Sequence, residues 1–169
     1  NEVMEKSDLK VISRCGVGMS NVDLEAAKRL GIIVCNTPDG PTQAVAELTL
    51  GSLLALLRII PNMNESLHEG RWDKQIGVQL EGKTIVIVGF GRIGRRFSEL
   101  LAPFKTKIIV VDPFILGIDQ EFEKMDLEDA LPLADVISLH CSGDTCLLSE
   151  KEFSLIKQGA YLLNAARGG

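Results

Sequence analysis

The sequence predicts an α/β fold in which a buried parallel sheet carries helices on both faces. Two patterns support this prediction. Short, continuous apolar runs alternate with helical segments from about residue 84 onward, as in sheets that are covered on both sides. One of these runs leads directly into Gly89-Phe90-Gly91-Arg92-Ile93-Gly94, which opens the next helix. The composition, with 46% hydrophobic and 24% charged residues, is typical of a globular protein and excludes a disordered chain.

The N-terminal segment predicts a β-α-β unit. Strands are predicted at residues 10–13 and 32–36, with a helix at 23–31 between them. Asp23 is placed to cap the N-terminus of this helix, and Gly31 to end it in a left-handed conformation. We interpret residues 1–37 as the C-terminal part of a domain whose beginning lies outside the sequence.

A domain boundary is predicted after residue 37, because two prolines and a glycine follow one another at 38–41. The second domain, residues 38–169, then begins with one helix at 42–60 and another at 61–69. Apolar residues surround the first of these helices almost completely. We therefore expect it to be buried on most sides, between domains or between subunits.

A regular alternation follows. Strands are predicted at 84–88, 107–111, 136–139 and 160–164, and helices at 92–101, 126–131 and 149–157. The last helix begins with a capping box formed by Ser149 and Glu152, and Gly159 ends it.

The glycine pattern predicts a Rossmann-type dinucleotide site, because it lies between a strand and a helix. Gly89 would allow a tight turn, Gly91 a close approach of the backbone to a pyrophosphate, and Gly94 close packing of the helix on the strand. The backbone N–H groups of Arg92 and Ile93 would then face the phosphates. A plain glycine turn between packed elements is the alternative.

Asp112 supplies the acid that such a site needs at the end of its second strand. Its carboxylate would accept hydrogen bonds from the adenosine ribose. Because it would also repel a 2′-phosphate, it favours NAD over NADP. The alternative is a solvated acid at a strand end.

Three further groups follow predicted strands, where open α/β sheets bind their ligands. Arg167 could hold a carboxylate with two parallel hydrogen bonds, although a surface arginine fits its position equally well. The loop Gly16-Val17-Gly18 could form an anion-binding nest, but spacing alone favours an ordinary turn. His140 has no identifiable partner for acid–base catalysis, so a structural or ribose-side role is favoured.

Charge and cysteine usage exclude other classes of function. With 18 basic and 23 acidic residues, the net charge of −5 gives no general attraction to nucleic acid or anionic membranes. None of the four cysteines forms a C-x-x-C pair, so no metal site is predicted. The longest uncharged apolar stretch, residues 48–57, is too short to span a bilayer, and no secretory signal opens the sequence. We expect a cytoplasmic protein.

Together, these motifs resemble the family of D-isomer-specific 2-hydroxyacid dehydrogenases. The matching segments follow one another in the family's order over nearly the whole chain, at 14–18, 21–23, 36–38, 46–49, 80–84, 89–94, 112–113 and 164–169. The resemblance implies a flavodoxin-like substrate domain and a Rossmann-type NAD domain, with substrate and nicotinamide between them. It implies NAD-dependent hydride transfer at the CH–OH group of a D-2-hydroxy acid.

The resemblance also assigns roles to individual residues. Arg167 matches the family's catalytic arginine, which holds the substrate carboxylate and polarises its carbonyl group. Gly16, Val17 and Gly18 match a loop whose backbone contacts the same carboxylate, with Val17 also close to the nicotinamide.

Further matches concern the cofactor and the assembly. Ala165 and Ala166 match positions on the nicotinamide side of the site, and Cys141 begins a loop on the adenosine side. The helices at 42–69 match a region that commonly forms a homodimer.

Within the family, the motifs are most similar to those of members that interconvert 3-phosphoglycerate and 3-phosphohydroxypyruvate in serine biosynthesis. Reduction of glyoxylate or hydroxypyruvate and oxidation of D-lactate remain open. A different class also remains open, namely NAD(H)-responsive binding of the corepressor type.

The sequence departs from the family pattern at two places. Where the family has H-x-P, this chain has His140-Cys141-Ser142-Gly143, and the loop to Ser149 is shortened. The glutamate and histidine that complete acid–base catalysis in the family would lie beyond Arg167. We therefore expect the chain to be a fragment of a longer polypeptide that turns over poorly by itself.

Overall fold

The computed structural model describes residues 2–115, 117, 122–141 and 146–167. The chain divides into two compact units, Asn1–Gln43 and Ala44–Gly169. Ser142 and Gly143 of the shortened loop, and the closing glycines Gly168 and Gly169, lie outside the described residues.

From Glu2 onward, where the structure describes it, the first unit contains two helices and two strands: α1 (Glu2–Glu5), β1 (Val11–Arg14), α2 (Leu24–Arg29) and β2 (Ile33–Asn36). The two strands pair in parallel, with Val11 opposite Ile33. At the start of α2, the side chain of Asp23 accepts a hydrogen bond from the backbone N–H of Ala26 at 2.8 Å. Gly31 follows the helix with a φ of +69°. The predicted β-α-β unit and both predicted ends of its helix are therefore confirmed.

Among its described residues, the second unit holds five strands and five α-helices, the first of which begins at Thr42, two residues before the boundary. The strands are β3 (Thr84–Val88), β4 (Lys107–Val111), β5 (Glu123–Lys124), β6 (Val136–Leu139) and β7 (Tyr161–Asn164). The helices are α3 (Thr42–Leu57), α4 (Ile60–His68), α5 (Arg92–Leu101), α6 (Leu127–Ala130) and α7 (Glu150–Leu155).

The five strands form one parallel sheet in the order β5-β4-β3-β6-β7. Side chains alternate across it, so Ile85 and Ile87 enter the core on one face while Val86 and Val88 enter the core on the other. Burial on both faces explains why the strands are continuous apolar runs. The predicted α/β class is confirmed.

The edge strand β5 was not predicted from the sequence. It is only two residues long, both of them charged and exposed, and it exists because it pairs with β4, where Ile109 lies opposite Glu123. A two-residue strand carries too little apolar pattern to be read locally.

The burial expected for α3 differs from what the structure shows. Within the described part of the chain, the helix buries one stripe, formed by Ala46, Thr49, Leu53 and Leu57. Leu48, on another side, is 67% exposed. Leu50 and Leu54, beside the stripe, are partly buried against the core, whereas Leu48 and Leu56 stay exposed because the core of this chain does not reach their side of the helix.

Across the described ranges, no single helix is long and apolar enough to cross a membrane. The pair α3 and α4 reaches the required length and composition only when taken together, and the two helices are bent by 67° relative to each other.

Candidate functional site

A cavity of about 750 Å³ opens at the carboxyl edge of the second unit's sheet. The central strand β3 leads to β4 on one side, and the chain later returns to place β6 on the other. Such a reversal of strand order leaves a crevice outside the strand ends, which is where open α/β sheets bind ligands. The cavity is lined by the ends of these three strands (Val88, Gly89, Val111, Asp112, His140, Cys141) together with Gly91, residues 113–114, residues 124–127 and Leu147.

Two positions here admit only glycine, one in the turn after β3 and one in the first turn of α5. Gly89 has a φ of +90°, and a Cβ added there would lie 2.6 Å from the backbone nitrogen of Cys141. A Cβ on Gly94 would overlap the carbonyl oxygen of Gly89. Close packing therefore holds the first turn of α5 against the end of β3 and the start of the loop after β6.

The N-terminus of α5 fits a phosphate group. Gly91 is its N-cap residue, lines the cavity and offers no side chain to cap the helix. A Cβ built on Gly91 would meet open space, so the backbone is accessible there. Arg92 and Ile93 are the first residues of the helix, and the positive end of its dipole lies at this point. The turn and the helix terminus thus fit the phosphates of a dinucleotide, and a cavity of about 750 Å³ lies within the range of ligand sites.

Asp112 follows β4 and faces the glycine turn. One carboxylate oxygen accepts a hydrogen bond from the backbone N–H of Phe90 at 2.8 Å, and the other accepts one from the N–H of Phe114 at 2.9 Å. Each oxygen keeps a further lone pair, so the carboxylate can still accept hydrogen bonds from a ribose. Asp112 therefore fastens the glycine turn besides lining the cavity.

His140 lies half-buried at the end of β6. Its Nε2 shares a hydrogen bond with Ser138 Oγ at 2.9 Å, and its ring lies 5.4 Å from that of Phe97. The buried Nδ1 has no hydrogen-bond partner among the described residues. Burial lowers the pKa of His140 to about 4, so the ring is neutral at physiological pH.

Arg167 follows β7 and is exposed. Its backbone is held by Asn164, whose side-chain Nδ2 donates to the carbonyl oxygen of Arg167 at 2.7 Å. The Oδ1 of the same amide accepts a hydrogen bond from the N–H of Ala166 at 2.9 Å. Ala165 donates its N–H to the carbonyl of Leu139 at 3.2 Å, which ties this turn to β6.

In the first unit, the loop Gly16-Val17-Gly18 follows β1. Gly16 has a φ of +124°, which requires glycine, and Val17 is 42% exposed. Asn36 and Thr37, at the end of β2, hydrogen-bond to this loop.

The structure therefore brings together at one cavity four of the predicted cofactor residues, Gly89, Gly91, Asp112 and Cys141. Ala165 and Ala166 lie at the end of β7, outside the cavity lining.

Sequence reasoning missed Phe114, Lys124 and Asp126, which line the cavity from the segments around β5. It also missed Asn36, Thr37 and Asn164 as anchors of loops, although all three belong to the motifs that carry the family resemblance. No group of three His, Cys, Asp or Glu side chains suited to a metal ion occurs in the ranges that the structure describes.

Comparison with known proteins gives a consistent picture. Residues 50–169 match the family model described as D-isomer specific 2-hydroxyacid dehydrogenase, NAD binding domain. The chain is 40% identical to D-3-phosphoglycerate dehydrogenase of Rattus norvegicus, over 95% of its own length and 32% of the relative's. It is 38% identical to hydroxypyruvate reductase of Thermotoga maritima, over 96% of its own length and 55% of the relative's.

Among solved structures, D-lactate dehydrogenase from Aquifex aeolicus in complex with NAD and lactic acid superposes with a TM-score of 0.86 at 28% identity. The match covers 99% of this chain and 53% of that one. The chain thus spans about a third of the first phosphoglycerate dehydrogenase relatives and about half of the structural ones.

Proposed function

The chain belongs to the family of D-isomer-specific 2-hydroxyacid dehydrogenases, and from that premise we propose that the whole protein is an NAD-dependent oxidoreductase acting on the CH–OH group of a D-2-hydroxy acid. One observation carries the proposal. The glycine turn at 89–94 and Asp112 meet at the same cavity, on adjacent strands, where a dinucleotide would need its phosphate and ribose contacts.

The residues of this chain then have the following roles. The N-terminus of α5 binds the pyrophosphate, and Asp112 accepts hydrogen bonds from the adenosine ribose. Arg167 binds the substrate carboxylate with two parallel hydrogen bonds and stabilises the negative charge that develops on the carbonyl oxygen during reduction. When bound, the nicotinamide cofactor would donate the hydride in this reduction and accept it in the reverse oxidation of the hydroxy acid.

For the substrate, we propose 3-phosphoglycerate and 3-phosphohydroxypyruvate, the pair used in serine biosynthesis. Support comes from relatives named D-3-phosphoglycerate dehydrogenase at about 40% identity in animals and in an archaeon. Hydroxypyruvate is the second candidate, because the Thermotoga maritima relative named for that substrate is 38% identical.

The test is a comparison of substrates with the full-length protein. NADH oxidation is followed with 3-phosphohydroxypyruvate, hydroxypyruvate, glyoxylate and pyruvate in parallel. We expect the highest kcat/KM with 3-phosphohydroxypyruvate; a higher value with hydroxypyruvate would replace the substrate while keeping the reaction. Absence of turnover with all four would reject the dehydrogenase proposal.

Arg167→Lys tests the assignment of the carboxylate site. Lysine keeps the charge but loses the planar fork, so we expect kcat/KM to fall about 100-fold while the Kd for NADH stays unchanged. Arg29→Lys, at an arginine paired with Glu5 on the surface, is the matched control and should have no effect. Equal activities of the two variants would contradict the role of Arg167.

We further propose that α3 and α4 form a homodimer interface. Leu48 and Leu56 on α3, and Leu67 on α4, are all more than 40% exposed. Exposed apolar side chains of this kind favour association. Sedimentation of the full-length protein should give a dimer, and Leu48→Glu should dissociate it; a monomeric wild type would reject the proposal.

A further inference from the structure

Two residues at the end of β2 clamp the loop Gly16-Val17-Gly18. The hydroxyl oxygen of Thr37 accepts a hydrogen bond from the backbone N–H of Gly16 at 2.8 Å. The backbone N–H of Thr37 donates to the carbonyl oxygen of Gly16 at 3.2 Å. The side-chain Nδ2 of Asn36 donates to the carbonyl oxygen of Val17 at 2.9 Å. All three bonds link the loop to one strand end.

The first consequence concerns Gly16 itself. Both its N–H and its carbonyl oxygen are already bonded to Thr37. Of the three loop residues that the family resemblance assigns to the substrate carboxylate, Gly16 therefore has its N–H committed within the protein. Recognition of a carboxylate by this loop falls to the N–H groups of Val17 and Gly18.

The second consequence concerns the direction of those two N–H groups. The carbonyl of Gly16 and the N–H of Val17 belong to one planar peptide group, as do the carbonyl of Val17 and the N–H of Gly18. The described chain contains no cis peptide bond, so in each group the N–H points opposite to the carbonyl. Since both carbonyls are anchored at the end of β2, both N–H groups are directed away from it, on the same side of the loop.

We propose that Asn36 and Thr37 are positioning residues for the substrate carboxylate. The backbone N–H of Thr37 and the side chain of Asn36 fix these two successive peptide planes. The hydroxyl of Thr37 fixes the plane before them, through the N–H of Gly16. The N–H groups of Val17 and Gly18 are thereby presented together, so that no reorientation of the backbone is needed when an anion binds. The inference rests on the proposed dehydrogenase function and assigns to these two residues the role of preparing its substrate loop.

The test uses isosteric substitutions in the full-length protein. Thr37→Val removes the acceptor for the Gly16 N–H at nearly constant shape, whereas Thr37→Ser retains it. Asn36→Asp replaces the donor Nδ2 with an oxygen that faces the carbonyl of Val17. Asn21→Asp makes the same chemical change at an exposed asparagine close to the loop and serves as the control.

Asn36→Asp releases the plane that carries the Gly18 N–H and should raise the KM for the 2-keto acid about tenfold, the equivalent of one hydrogen bond. Thr37→Val releases only the plane before Gly16 and keeps the backbone bond of Thr37, so it should raise this KM by a smaller factor, about threefold. Both variants should leave the KM for NADH unchanged. Thr37→Ser and Asn21→Asp should resemble the wild type. The Ki of oxamate, an analogue of 2-keto acids, should rise in parallel with the KM.

A failure of the positioning role and a failure of the proposed function would give different results. A purely structural role would lower kcat through a loss of folded enzyme and leave the KM for the keto acid and the Ki of oxamate unchanged, which would overturn the proposal. Should Thr37→Val fail to fold, Asn36→Asp decides by the same readouts, because the side chain of Asn36 is exposed. If the wild type fails to oxidise NADH with any of the 2-keto acids tested, the proposed function is rejected, and this inference with it.

Discussion

The carboxylate of Asp112 accepts a hydrogen bond from the backbone N–H of Phe90 at 2.8 Å, across 22 positions of sequence. This bond joins the end of β4 to the glycine turn that follows β3. Its second oxygen binds the N–H of Phe114, so one side chain holds both the turn and its own loop. The acid expected to contact the ribose is thus also an anchor of the turn expected to contact the pyrophosphate.

Asp112→Asn should weaken NADH binding to this chain about fivefold. The amide can accept only one of the two backbone hydrogen bonds, and the loss of one is worth about 1 kcal/mol. Fluorescence titration with NADH measures the change. Asp126→Asn is the matched control, because Asp126 lines the same cavity and its replacement removes the same charge. If both variants weaken NADH binding equally, the effect of Asp112 comes from its charge and not from its hydrogen bonds to the backbone.

Gly94→Ala should lower the free energy of unfolding by about 1–3 kcal/mol. The added methyl group would overlap the carbonyl oxygen of Gly89, a backbone atom that cannot move without distorting the turn. Gly51→Ala in α3 is the control, since nothing lies within 4 Å of the Cβ it would add. There the gain in helix propensity should stabilise the chain by about 0.5–1 kcal/mol. Urea denaturation compares the two, and equal midpoints would contradict the close packing of α5 on β3.

His140 should make the chain less stable in mild acid. Its pKa is about 4 in the folded chain, against 6.5 when unfolded. Between pH 6.5 and about 4, His140 is therefore protonated in the unfolded chain but neutral in the folded chain. Through this one group, the free energy of unfolding should fall by about 1.4 kcal/mol per pH unit across that window and change no further below it.

The contribution of His140 is isolated by comparison with His140→Gln, which can retain a hydrogen bond to Ser138. Urea denaturation between pH 7 and 4 should give a shallower slope for the variant. His68→Gln, at an exposed histidine on α4, controls for the loss of an imidazole as such. Parallel profiles of the wild type and His140→Gln would show that the ring is not kept neutral by burial.

Asn164→Ala should reduce kcat/KM of the full-length protein about thirtyfold. The amide of Asn164 makes two hydrogen bonds to the turn that carries Arg167, worth about 1 kcal/mol each. Asn164→Asp keeps the acceptor for Ala166 but loses the donor to Arg167, so an intermediate loss is expected. The Kd for NADH should stay unchanged in both, and a kcat/KM equal to that of the wild type would show that the turn holds its shape without this side chain.

Local signals were sufficient for most elements of the fold. The cap of Asp23, the capping box at Ser149 and Glu152, and the strand–turn–helix context of Gly89 each depend on residues only a few positions apart. Caps, turns and periodicity act over such short distances, so they can be read directly along the chain. The α/β class follows from them.

The remaining features of the fold and the site depend on contacts between residues far apart in the sequence. The edge strand β5 exists only through its partner β4, and the exposure of Leu48 depends on which side of α3 the core of this chain reaches. The anchoring of the glycine turn by Asp112 likewise joins residues far apart in sequence. The residue types of the candidate site were thus determined by the sequence alone, as a glycine turn and an acid at two strand ends. Which backbone groups those residues hold was decided only by the tertiary structure, because a hydrogen bond between distant segments forms only after the strands have aligned.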